Sequence, residues 1–187
     1  MIRLISIFCL LVGTAQAVEI DPSQSSFTWT ASKITGSTHT GLLPALSSDI
    51  TVKDGQIVGG QITLDMKNFT VTDLQGGTAK KFLGHIKSDD FFNVAKFPTS
   101  RIEVQSIDKG VATGRLQIMN KTKPVTFPIA KAGNVYSGTL TFDRTDFGIR
   151  YGSGKFFKGL GDKVISDEVS VQFTFALKSN TTPAQTN

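Results

Sequence analysis

The run Val169, Val171, Phe173, Phe175 and Leu177 carries an apolar side chain at every second position. In extended backbone, successive side chains point to opposite faces, so this pattern demands a strand with one dry face and one wet face. The same alternation recurs along most of the chain. Phe27, Trp29 and Ala31 alternate with Thr28, Thr30 and Ser32. Ile50 and Val52 follow, then Ile62, Leu64 and Met66, then Ile102 and Val104, then Leu116 and Ile118. Val125, Phe127 and Ile129 form another set, and Tyr136, Leu140 and Phe142 share a face. Asp54-Gly55 reads as a tight turn, and Gly59-Gly60, Lys109-Gly110, Pro124 and Gly133-Asn134 read as breakers between runs. An antiparallel meander that curls or closes on itself satisfies this spacing.

One segment changes period. Between Thr78 and Ser88, Ala79, Phe82, Leu83 and Ile86 recur at helical spacing, with Lys80, Lys81 and Lys87 on the wet side. The spacing predicts a short amphipathic helix over 78–88. Asp89 or Asp90 is placed to cap a following turn into Phe91 and Phe92, and Pro98 returns the chain to a strand.

The N-terminus has another character. Arg3, the apolar run from Leu4 to Val12 and the triplet Ala15-Gln16-Ala17 have the form of a cleaved secretory signal. Residues 1–17 are expected to be removed, taking Cys9 with them and leaving Val18 as the mature start. Phe8 before Cys9 is too bulky for a lipoprotein cleavage site. A mature chain without cysteine has no disulfide to rely on. Residues 18–178 make one domain, and the polar tail 179–187 is expected to be disordered. The product is expected to be soluble and periplasmic. The formal charge of +5 includes Arg3, so removing the leader leaves +4, and the lysines are scattered. A weakly basic exported chain suits transient contact with anionic lipid or an anionic ligand headgroup, and outside the cytoplasm no nucleic-acid partner is expected.

The stretch DRTDFGIRYGSGKFF, Asp143 to Phe157, has the look of a phosphate loop. A P-loop needs four residues between its first glycine and the Gly-Lys pair, then Ser or Thr to hold magnesium. Here five residues separate Gly148 from Gly154, and Phe156 follows Lys155. A G-x-G-x-x-G fingerprint starting at Gly152 fails at Phe157. Nucleotide binding is thereby excluded. Metal binding has only His39 and His85 to draw on in the mature chain. His85 near Asp89 and Asp90 suggests acid–base chemistry, but adjacent carboxylates point apart, and no serine stands in a nucleophile elbow. The Asn-x-Thr triplets at Asn68, Asn120 and Asn180 are of a kind frequent by chance.

Three blocks carry a family resemblance. FLGHIKSDDFFNVAKFPTSRIE, Phe82 to Glu103, resembles the signature of the YceI family. GRLQIMNKTKPVTFPI, Gly114 to Ile129, is similar to that family's central strand pair. The stretch from Asp143 onward resembles its third block, and the match runs from about Glu19 to Leu177. The resemblance implies an all-β fold: an eight-stranded antiparallel lipocalin-like barrel with a short helical insertion. It also implies an exported, non-enzymatic carrier of a long apolar chain such as a polyisoprenoid, a quinone precursor or a fatty-acid derivative. No catalytic residues and no cofactor beyond such a lipid are implied. Two departures stand out. Asn120 occupies a turn position where glycine is usual, and the loop Gly36 to Asp49 has Leu42, Leu43, Pro44 and Leu46 where an aromatic is expected.

The expected apolar lining is Phe27, Trp29, Leu64, Met66, Ile118, Phe127, Phe142 and Phe173. The expected mouth is Phe82, His85, Phe91, Phe92, Phe147, Arg150, Tyr151 and Phe156. Phe147, Ile149 and Tyr151 read as a strand end, Gly152-Ser153-Gly154 as a bend, and Phe156 and Phe157 as a patch folded over the rim. The expected partner is an amphipathic lipid, and an edge such as the last strand could pair two subunits. Two alternatives remain: a protein-interaction or stress-response module whose aromatics fill the barrel, and a hydrolase or isomerase using His85 and Asp90.

Overall fold

A computed structural model describes residues 14–178 of the chain. Most of the expected leader, including Cys9, and the whole expected tail, including Asn180, lie outside the described residues.

Among the described residues ten strands form one antiparallel sheet: β1 Gln16–Val18, β2 Ile20–Lys33, β3 Thr38–Leu42, β4 Ala45–Lys53, β5 Gln56–Asp65, β6 Thr99–Asp108, β7 Val111–Ile118, β8 Lys121–Ala132, β9 Val135–Asp143 and β10 Ile165–Leu177. Their order is β1-β4-β5-β6-β7-β8-β9-β10-β2-β3. The all-β architecture with one short helix agrees with expectation, but the strand count is ten, not eight. The excess is β1 and β3, the shortest strands. The segment Gly36 to Asp49 is not a loop: Thr38 to Leu42 pairs with Ser32 to Thr28 of β2, and β4 starts at Ala45.

The ladder does not close. At the seam between β2 and β4, Ile20 N donates to Ser48 Oγ at 2.9 Å, while Leu43 N, just past β3, extends the β2–β3 register by donating to Phe27 O at 2.8 Å. The edges are β1 and β3, so β10 is not an edge. It lies between β9 and β2. Gln16 and Ala17, on the leader side of the expected cleavage site, pair with Val52 and Thr51.

Turn chemistry sets the hairpins. Asp54 and Gly55 have φ of 52° and 71°, the left-handed pair that a two-residue hairpin favours. At the β7–β8 turn the positive φ falls on Met119, at 53°, and not on Asn120. Gly59-Gly60 and Pro124 lie inside β5 and β8 and do not separate strands. Gly60, with φ of 135°, lies beside a register shift, and a Cβ there would stand 2.5 Å from Asp49 O. The glycines bend the strand instead of ending it.

The helix α1, Gly76–Ile86, starts and ends two residues before the sequence-based span. It packs Phe82, Leu83 and Ile86, each half-buried, against the core. Lys87 is not on a wet side. Its Nζ donates to Lys67 O at 2.6 Å and stands 4.8 Å over the Phe69 ring, and burial pushes its pKa down. The following turn is organised by Ser88, whose carbonyl accepts from Phe91 N at 3.2 Å and whose hydroxyl accepts from Asp90 N at 3.3 Å. Asp89 and Asp90 are not its caps.

A candidate ligand cavity

Alternation along the long strands sends one face of each inward. The chain leaves the sheet at one common end through two excursions: Asp65 to Thr99, which carries α1, and Asp143 to Ile165. Between the strands lies a cavity of about 170 Å³. The eight residues expected to line it all do: Phe27, Trp29, Leu64, Met66, Ile118, Phe127, Phe142 and Phe173. Phe82, Phe91 and Phe92, expected at a mouth, line it too. Trp29 stacks on Phe82 with ring centroids 6.3 Å apart, so α1 rests directly on the barrel wall.

The other five expected mouth residues lie outside the lining. Phe147 is buried edge-on against Phe142 in a 3-10 turn, Arg144–Phe147, ended by left-handed Gly148. The predicted strand end at 147–151 is therefore this turn. His85 stands 3.2 Å from Asp90 and packs edge-on against Tyr151 and Phe91, with both members of the ion pair exposed. Neither His85 nor Asp90 is among the residues that line the cavity. Arg150 lies 4.5 Å over the Phe156 ring. Phe156 and Phe157 are not folded back over the rim. They are 45% and 49% exposed. Among the described residues no cluster of three or more His, Cys, Asp or Glu forms a metal-type site.

Sequence reasoning missed Arg144, the one charged residue of the lining. It is 3% exposed, and its guanidinium is spent on the fold. Nε donates to Ser166 O, Nη1 to Ile149 O and Tyr151 O, and Nη2 to Ile165 O and Asp167 Oδ1, all between 2.8 and 3.2 Å. Five N–H groups meet five acceptors, which only a guanidinium can supply. Burial pushes its pKa down, the carboxylates of Asp167 and Asp143 push it up, and an arginine stays charged under that balance. Nearby, Asp143 accepts from Thr145 N and Oγ1 and from Lys155 Nζ. Burial opposes its ionisation, but these bonds outweigh burial and hold its carboxyl below the usual range. Phe69 and Ile165 also line the cavity without having been singled out in sequence, and so do Leu43 and Ile149, which were read as a loop residue and part of a strand end. They sit in turns, connections or at a strand end, where alternation is absent or misleads.

Comparison with known proteins agrees with this architecture. The structure of BcnA from Burkholderia cenocepacia matches with a TM-score of 0.63 at 19% identity, over 86% of this chain and 99% of that one. A polyisoprenoid binding domain from Saccharophagus degradans, implicated in plant cell wall breakdown, matches with 0.62 at 15% identity, over 87% and 98%. At these identities the likeness is one of fold. A UPF0312 protein of Shewanella denitrificans is 35% identical over 85 residues, so the match spans 37% of this chain and 44% of that relative's length. The YceI-like domain model matches residues 19–177, nearly all of the described chain. This chain belongs to the YceI-like domain family.

Proposed function

We propose that this protein is an exported, non-catalytic carrier that holds the tail of an isoprenoid-like amphipathic lipid inside its barrel. The observation that carries the proposal is the unfilled apolar interior. A void of about 170 Å³ corresponds to roughly 4 kcal/mol of lost packing at the usual cost per volume. Apolar cavities of this size stay dry and take up apolar guests. A filled barrel, the interaction-module alternative, would leave no such void. The fold shared with a polyisoprenoid binding domain supports the same reading.

The lining also divides the ligand. Aliphatic and aromatic side chains offer no polar partner, and each buried methylene contributes about 0.8 kcal/mol. Arg144 has no N–H left to donate, so a polar headgroup finds no partner among the charged groups of the cavity. The headgroup belongs at the end where α1 and the Asp143–Ile165 excursion lie.

Trp29 is the sole tryptophan and lines the cavity, so its fluorescence reports occupancy. Titration with a C40 prenyl alcohol should shift and saturate its emission at one ligand per chain. Solvent extraction of protein isolated from its own host, followed by mass spectrometry, should recover a stoichiometric lipid. No saturable shift and no recovered lipid would sink the proposal.

A further inference from the structure

The cavity wall and the most exposed aromatic residues are neighbours in the chain. Ile149 and Ile165 both line the cavity, and between them the chain turns outward. Tyr151, Phe156 and Phe157 on this excursion are 43%, 45% and 49% exposed. The exposure is built in. Ser153 is fully buried, and its carbonyl accepts from both Phe156 N and Phe157 N, at 3.1 and 3.0 Å, which fixes the two rings at a turn tip. Large apolar side chains held in water on a rigid turn call for a surface to enter.

The charges around them select the surface. Lys155 is neutralised by Asp143 and Asp167. Arg150, Lys158 and Lys163 are exposed and have no carboxylate partner among the described residues. The Nζ of Lys121, from the β7–β8 turn, reaches the same side, within 2.8 Å of where a Gly148 Cβ would stand. Asp146 and Asp162 are the exposed carboxylates of this excursion, so cations prevail. Aromatic tips ringed by unpaired cations match an anionic bilayer: rings at the acyl boundary, cations at the headgroups.

We infer that the Tyr151–Lys163 excursion docks the protein on an anionic membrane, with Phe156 and Phe157 as its anchors. This rests on the carrier reading, because docking here brings the α1 end of the barrel to the bilayer from which a lipid tail would be taken.

The test is flotation of the protein, recovered from the osmotic-shock fraction of expressing cells, with vesicles of phosphatidylcholine alone or with about 30% phosphatidylglycerol to give an anionic surface. Wild type should prefer the anionic vesicles, and 0.5 M salt should weaken that preference, since the Debye length shrinks to roughly 4 Å. The double variant F156S/F157S should lose about tenfold in partitioning. K158Q and K163Q together should lose about thirtyfold, from roughly fivefold per cation near an anionic surface. All variants should keep the Trp29 response to the prenyl alcohol delivered from detergent. Equal flotation with both vesicles, or no loss in F156S/F157S, overturns the docking surface and leaves the carrier reading standing. Vesicle binding that depends on these residues, with no Trp29 response in any form, supports docking and overturns the carrier instead. A patch that matters only when a protein acceptor is added, with flotation unchanged, also overturns the membrane assignment.

Discussion

The indole Nε1 of Trp29 donates to the carbonyl oxygen of Thr70 at 2.9 Å, through space that Gly41 leaves open. The bond ties the barrel wall to the irregular chain that leads into α1. A Cβ on Gly41 would stand 1.8 Å from Thr70 O and 2.6 Å from Trp29 Nε1. Gly41→Ala should therefore break the bond and destabilise the protein by about 3 kcal/mol, the upper end for an overpacked site. Urea unfolding followed by circular dichroism should show it. An unchanged midpoint would mean that the β3 edge yields freely.

Arg144 binds the 3-10 turn and the start of β10 into one unit. Arg144→Met strips four carbonyls and Asp167 of a donor and leaves Asp167 only the longer contact to Lys155, so it should cost about 3 kcal/mol, the low end for breaking a buried pair. Lysine brings three donors from one point, so Arg144→Lys should recover less than half of the loss. Unfolding free energies of the two variants against wild type would decide, and equal stabilities would refute the assignment.

Acid should weaken the same region. The folded pKa of Asp143 lies below its unfolded value, near 3.9 for a free aspartate. Its contribution is therefore complete above about pH 4 and is lost as the pH falls through the lower folded value. Lys155, hydrogen-bonded to Asp143, shifts upward, so its contribution holds through neutral pH and fades only above its ordinary alkaline value. Asp143→Asn should flatten part of the acid limb of a stability–pH curve while leaving the slope between pH 5 and 8 unchanged. A curve parallel to wild type below pH 4 would count against the pair.

Filling the cavity should separate stability from binding. Ile118 is 3% exposed and lines the wall. Ile118→Trp has a void to enter, so its cost should stay at the low end of the roughly 1 to 3 kcal/mol that added bulk costs in a filled core. The same variant should weaken prenyl alcohol binding at least tenfold. Retained affinity with retained stability would show that the tail lies elsewhere.

Most of the wall was legible because period two is enforced by strand geometry, residue by residue. Phe27 and Trp29, or Ile62 and Leu64, have no other way to share a dry face. The mouth was not legible, for different reasons in different places. Phe147 and Ile149 alternate as a strand would, yet Gly148 between them takes a φ of 89°, and the pair folds as a turn. Phe156 looked fit for burial because it is large and apolar, but the carbonyl of Ser153 fixes the backbone on the outside. Arg144 carried no signal at all. Its role depends on carbonyls brought together from positions 149 to 166, and only the folded chain assembles them.

The seam between β2 and β4 gives the barrel one side unlike the others. Neighbouring strands elsewhere share ladders, whereas here the bond from Ile20 N to Ser48 Oγ bridges the walls. Parting it costs about 1 kcal/mol where water can replace the lost partner, far less than unzipping a strand pair. The wall thus contains an expansion joint: its circumference can grow at one line while every other register stays fixed. A guest longer than the resting cavity can be housed by widening that line, so the barrel's capacity is set by how far the seam opens as well as by the space it encloses at rest.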